Sequence, residues 1–92
     1  MSFEALSRLT EADFNRMKQD ALKSTCRRCA AAKVGITDVP LVEMTWRQWN
    51  EFYVEYDAEL VAAGLTSDPD AKAKIAQMAA EYPDMKPMAL VA

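Results

Sequence analysis

Apolar residues along this chain recur at intervals of three and four, the period of a helix packed on one side, rather than in the alternation of a strand. In the first long run, Phe14, Met17, Ala21, Leu22, Thr25, Cys29 and Ala32 share one face at roughly 100° per residue. Arg16, Asp20, Lys23 and Arg27 fall on the other. Thr10-Glu11-Ala12-Asp13 resembles a capping box with Asp at its fourth place, and its acidic residues suit the positive end of a helix. Gly35, just beyond Lys33, fits a left-handed C-cap. These signals predict a helix over residues 11–33.

A second helix is predicted over residues 46–63. Trp46, Trp49, Tyr53, Tyr56, Leu60 and Ala63 are spaced three, four, three, four, three. Thr45-Trp46-Arg47-Gln48 completes a capping box, Met44 and Trp49 suit a hydrophobic staple, and Gly64-Leu65 suits a Schellman ending. Asp68-Pro69 then starts a third helix, with Pro at its first position. Ile75, Met78, Ala79 and Tyr82 line one side of it, and Pro83 ends it, so it should span residues 69–82. Ser2, Phe3, Leu6 and Leu9 predict a short helix over residues 2–9. Residues 35–44 read as a connection, broken by Pro40, in which residues 39–44 run extended without a partner strand. The expected fold is all-α: a small bundle of three main helices in one domain, residues 1–82, with a short N-terminal helix and an extended C-terminal tail, residues 83–92.

Composition agrees with this pattern. Two Gly and four Pro in 92 residues are too few for the turns of an all-β protein. Hydrophobic residues make up 51%, which places the chain among globular rather than disordered sequences. No apolar run reaches the roughly 18 residues of a membrane span, and the first ten residues lack the form of a secretory leader. We therefore expect no membrane association and a cytoplasmic location.

Charge refines the picture. The net charge of −3 does not suit a uniformly basic nucleic-acid binder. It is unevenly spread, however. Residues 11–34 carry six Lys and Arg against three Asp and Glu, whereas residues 35–68 carry one Arg against seven. Arg16, Lys23, Arg27 and Arg28 form a candidate basic patch for phosphate or an acidic protein surface.

Candidate chemistry is sparse. Cys26-Arg27-Arg28-Cys29 is a CxxC, but the chain has no His and no further Cys to complete a four-ligand zinc site. The pair also lies deep in a helix rather than at the N-terminus, where a redox thiol is activated. Packing is the expected role, with Cys29 on the core face and Cys26 at its edge. Glu51, Glu55 and Glu59 repeat every four residues and should form a solvated face opposite Trp49 and Tyr56. Without His, the usual base for a Ser or Cys nucleophile is missing. We expect no catalytic, metal or cofactor site and no enzymatic activity.

The aromatic helix is the most informative segment. Five of eight aromatic residues fall within residues 46–56, while Val54, Ala58 and Val61 carry apolar character to another side. A helix apolar most of the way round is covered on more than one side. It is therefore either the central helix or partly an interface. The short apolar tail adds a second candidate contact. Trp46, Arg47, Trp49, Tyr53, Val54, Tyr56, Val61, Met88, Leu90 and Val91 are accordingly the candidate partner-binding residues, since Trp, Tyr and Arg dominate binding hot spots. The expected function is a non-enzymatic protein–protein interaction module, such as an assembly subunit, adaptor or inhibitor, with a protein partner or a homo-oligomer. Plain helical subunits of this kind recur among viral and mobile-element accessory and structural proteins, an analogy at the level of fold only. The alternatives are a nucleic-acid-associated regulator using the basic helix 11–34 and a thiol- or metal-linked function at Cys26 and Cys29.

Overall fold

The computed structural model describes residues 10–90. They form three α-helices, α1 (Glu11–Val34), α2 (Trp46–Ala62) and α3 (Pro69–Glu81), with 3-10 turns at Leu41–Glu43 and Pro87–Leu90 and no strand among the described residues. The all-α bundle and its helix boundaries match the apolar periodicity to within a residue. The expected helix over residues 2–9 lies outside the described residues.

Each helix end is built by the residues that mark it in the sequence. Thr10 Oγ1 accepts from the Asp13 N–H, and the Asp13 carboxylate accepts from the Thr10 N–H at 3.0 Å. The same exchange joins Thr45 and Gln48 at the start of α2. Asp68 caps α3 through the Ala71 N–H. Both glycines close a helix in the left-handed region, Gly35 at φ 73° and Gly64 at φ 75°. Beyond them Ile36 N–H donates to Ala31 O, and Leu65 N–H to Leu60 O, which are the long bonds of two Schellman motifs.

Helix α2 is the middle layer. It packs on α1 along one side and α3 along another, while α1 and α3 scarcely touch each other. Lys33 on α1 forms a hydrogen-bonded ion pair with Glu59 on α2 and approaches Glu55 at 3.9 Å. Lys72 on α3 meets Asp57 on α2 at 3.3 Å. Among the described residues Lys33 is thus the one basic residue of α1 that pairs with the acidic α2.

The core is thin. Cys26, Ala30, Ile36, Met44 and Leu60 are the buried apolar residues among those described. Burying one such Leu or Met side chain contributes about 1.5–3 kcal/mol, so the loss of any one is felt. The burial corrects one expectation. The apolar run through Phe14, Met17, Ala21 and Thr25 does not face α2; the seam uses Cys26 and Ala30, about 150° further round the helix. Small residues at that seam let the two helices approach closely, and the seam buries Cys26 and exposes Cys29, the reverse of the expected order.

The segment after α3 doubles back. Trp46 N–H donates to Met85 O at 2.9 Å and Arg47 N–H to Pro83 O at 3.1 Å. Gln48 N–H is capped by Thr45 Oγ1, and Trp49 N–H reaches Thr45 O. With the Thr45 N–H donating to Gln48 Oε1, the four N-terminal donors of α2 that lack an intrahelical partner, those of Thr45, Trp46, Arg47 and Gln48, are all accounted for, and the Trp49 bond begins the helical ladder. The two 3-10 turns pack together, and Lys86 binds Glu43 across them at 2.8 Å.

Candidate docking groove

The aromatic residues of α2 are too large for so thin a core. Trp46, Trp49, Phe52, Tyr53 and Tyr56 are all half-buried. Four of them form a chain of rings: Trp49 edge-on to Phe52 at 6.1 Å, Phe52 to Tyr56 at 5.6 Å and Tyr56 to Tyr53 at 5.7 Å. Such pairs fix ring orientation as well as burying area. Burial raises the Tyr53 phenol pKa above its ordinary value, with Asp68, Tyr56 and Asp57 adding to the effect. The indole Nε1–H groups of Trp46 and Trp49 are both sealed from solvent without an acceptor.

At the Trp49–Phe52 end of this ring chain the surface opens into a groove of about 620 Å³. Its floor is Ala31, Ile36, Met44, Trp49 and Phe52, and the connection from Thr37 to Leu41 forms one wall. The sequence explains the shape. The Schellman ending at Gly35 turns the chain back and buries Ile36, then Pro40 and the following 3-10 turn hold Leu41 out at the lip. Leu41 is 55% exposed, and Val42 beside it is exposed too, so apolar surface continues past the rim. Arg27 and Arg28 line the opposite edge, and neither has a carboxylate within ion-pair distance among the described residues. A neutral, greasy floor with one cationic edge suits an apolar side chain flanked by carboxylates.

Of the residues singled out in the sequence, the groove gathers only Trp49, Arg27 and Arg28. Tyr53 and Tyr56 belong to the ring chain. Arg47 pairs with Asp84 at 3.1 Å. Val54 and Val61 lie exposed on α2, away from the groove, and Met88 is exposed in the second 3-10 turn. Leu90 ends that turn, and Val91 lies outside the described residues. Arg16 pairs with Asp13 one turn earlier and Lys23 is half-buried, so the four basic residues do not form one free patch. The lining residues Ile36, Val39, Leu41 and Met44 are not among the candidate site residues of the sequence; apart from the Met44–Trp49 staple, the apolar stretch around Pro40 without a partner strand is their only sequence signal.

Glu55 and Glu59 are not a solvated face either. Both lie half-buried at the α1 seam beside Lys33, whose pKa is raised by the Glu59 hydrogen bond and charge, with a smaller contribution from Glu55; Glu51 stays exposed. A shallower hollow at the same seam includes Cys26 and Cys29, which are free thiols. Among the described residues no three His, Cys, Asp or Glu side chains converge on a metal position, and no helix is long and apolar enough to cross a membrane.

No family model, curated protein or solved structure matches this chain. The groove must therefore be interpreted from its own chemistry.

Proposed function

We propose that this protein is a non-enzymatic protein–protein interaction module, an adaptor or assembly subunit that takes a partner segment in the groove between α1, the residue 36–44 connection and α2. The observation that carries this reading is the continuity of the apolar surface. It runs from the groove floor at Trp49 and Phe52 over the lip to exposed Leu41. A small ligand needs an enclosed site, whereas a surface that spills past its own rim suits a macromolecule laid across it. Arg27 and Arg28 favour a partner whose apolar anchors are flanked by Asp or Glu, because complementary charge sets orientation and encounter rate.

The test compares proteins captured by the wild type with those captured by Leu41→Glu, Arg28→Glu and Val61→Glu. Leu41 and Val61 are both exposed apolar residues, but only Leu41 lines the groove. A partner lost with Leu41→Glu and Arg28→Glu, yet kept with Val61→Glu, supports the reading. Indifference to both groove substitutions contradicts it.

A further inference from the structure

The hollow beside the α1–α2 seam lies apart from the docking groove and has its own chemistry. It measures about 250 Å³, and both cysteines line it. Cys26 and Cys29 are free thiols one turn apart in the middle of α1. Cys29 is exposed, whereas Cys26 is only 5% exposed and faces the seam. Ala62 and Ala63, at the end of α2, line the same hollow, and their small side chains leave space beside the sulfurs.

The spacing decides what the pair can hold. The β-carbons of residues three apart on a helix lie about 5–6 Å from one another. A disulfide needs about 3.5–4.5 Å, so forming one would distort the middle of α1. An ion between the sulfurs needs no distortion, because two metal–thiolate bonds of about 2.3 Å let the sulfurs stand up to about 4.6 Å apart. Ligand number then decides which ion. Among the described residues no third His, Cys, Asp or Glu joins the pair in a metal-holding group. Glu59 also lines the hollow, but its carboxylate is engaged by Lys33. Structural zinc takes four ligands, calcium and magnesium take oxygen, and iron–sulfur clusters take four thiolates. Two thiolates alone suit a soft monovalent ion, and Cu(I) is the thiolate-seeking ion satisfied by two. The Lys33 ammonium, whose pKa is raised mainly by Glu59 and less by Glu55 and Cys29, stands near enough to Cys29 to feel its charge. It offsets part of the negative charge that two thiolates leave around one positive ion.

We infer that Cys26 and Cys29 form a two-coordinate site for a single Cu(I) ion within one chain. Each thiol gives up its proton to solvent as its sulfur binds, and the copper stays in the Cu(I) state throughout. The ion reaches Cys26 through the hollow, where a bulkier thiol reagent must wait for the seam to open. The site is separate from the docking groove and does not depend on it.

Titration of the reduced full chain with Cu(I), without oxygen and against a chromophoric Cu(I) chelator, is the test. The expected result is one ion withdrawn from the chelator per chain, with a thiolate-to-copper charge-transfer band in the ultraviolet. Cys29→Ser and Cys26→Ala should each weaken retention at least about a hundredfold, more than the loss of a residue that merely supports a ligand costs. Alanine suits the seam, as Ala30 does, and circular dichroism reports whether α1 stays helical. Cys29 is exposed, so Cys29→Ser keeps the test decisive even if the seam is disturbed in the other variant. A chain that withdraws no copper overturns the proposal. So does retention that survives either substitution, which would leave a single thiol as the ligand. One ion per two chains equally overturns it, because the thiolates would then be shared between copies.

Discussion

The backbone N–H of Trp46 donates to the carbonyl of Met85, thirty-nine residues further on, at 2.9 Å. With the bond from Arg47 N–H to Pro83 O, it makes the last described residues part of the cap of α2. Removal of residues 83–92 returns two first-turn donors to water and loses the packing between the 3-10 turns. The truncated chain should lose about 1–3 kcal/mol of stability, with a fall in Tm of roughly 4–8 °C for each kcal/mol, read by thermal unfolding. An unchanged Tm would mean that the returning segment does not support the helix.

The clasp should also open in acid. The Lys86 ammonium, by its hydrogen bond and its charge, holds the Glu43 carboxyl below its ordinary pKa. A carboxyl depressed by folding contributes stability that is fully present above its unfolded pKa, about 4.3, and is lost as the pH falls through the lower folded value. The protection of the Trp46 and Arg47 amides, taken relative to their intrinsic exchange rate at each pH, should therefore fall below about pH 4 before the bundle itself unfolds. Glu43→Gln should remove that acid dependence. Both residues of the pair are largely exposed, so the effect should be local.

Gly64 stands at φ 75°, and an added Cβ would meet nothing within 4 Å. The cost of Gly64→Ala is therefore purely one of backbone conformation, about 1–2 kcal/mol. Chemical denaturation should show that loss in the midpoint with an unchanged slope. A neutral substitution would mean that the Schellman ending of α2 is not held.

The two thiols should separate cleanly. Cys29 is exposed and should react with a thiol reagent in the native protein, while buried Cys26 should react only through opening of the α1–α2 seam. Cys26→Ser should cost about 1–3 kcal/mol by placing a hydroxyl in that seam, and Cys29→Ser should stay within about 0.5 kcal/mol. Equal reactivity of the two would contradict the packing described for α1.

The thiols also mark the boundary of what the sequence makes legible. Helix ends were fully readable, because Thr10, Thr45, Asp68, Gly35 and Gly64 act on backbone groups within a few residues of themselves. The packed face of α1 was not. Periodicity weights Phe14 and Met17 by their hydrophobicity, yet the seam with α2 selects small Cys26 and Ala30, since close approach matters more there than area. Glu55 and Glu59 looked like a solvated ladder because their partner, Lys33, lies on another helix. The groove was hardest to foresee. Trp49 was visible in the pattern, but its walls come from a connection whose apolar residues have no period, shaped by Gly35 and Pro40. The return of the chain onto Trp46 leaves no sequence signal either, being made by main-chain atoms.

The most direct measurement is an amide and indole NMR titration of the full chain with two designed helical peptides. Both carry Leu at helical spacing; one has Glu at the flanking positions and the other Lys. The account predicts that the acidic peptide shifts the Trp49 indole N–H together with the amides of Ala31 and Leu41, and that the basic peptide leaves them in place. An acidic peptide that does not move the Trp49 indole, or a basic one that moves it equally, would contradict the assignment of the groove as a charge-selective docking site.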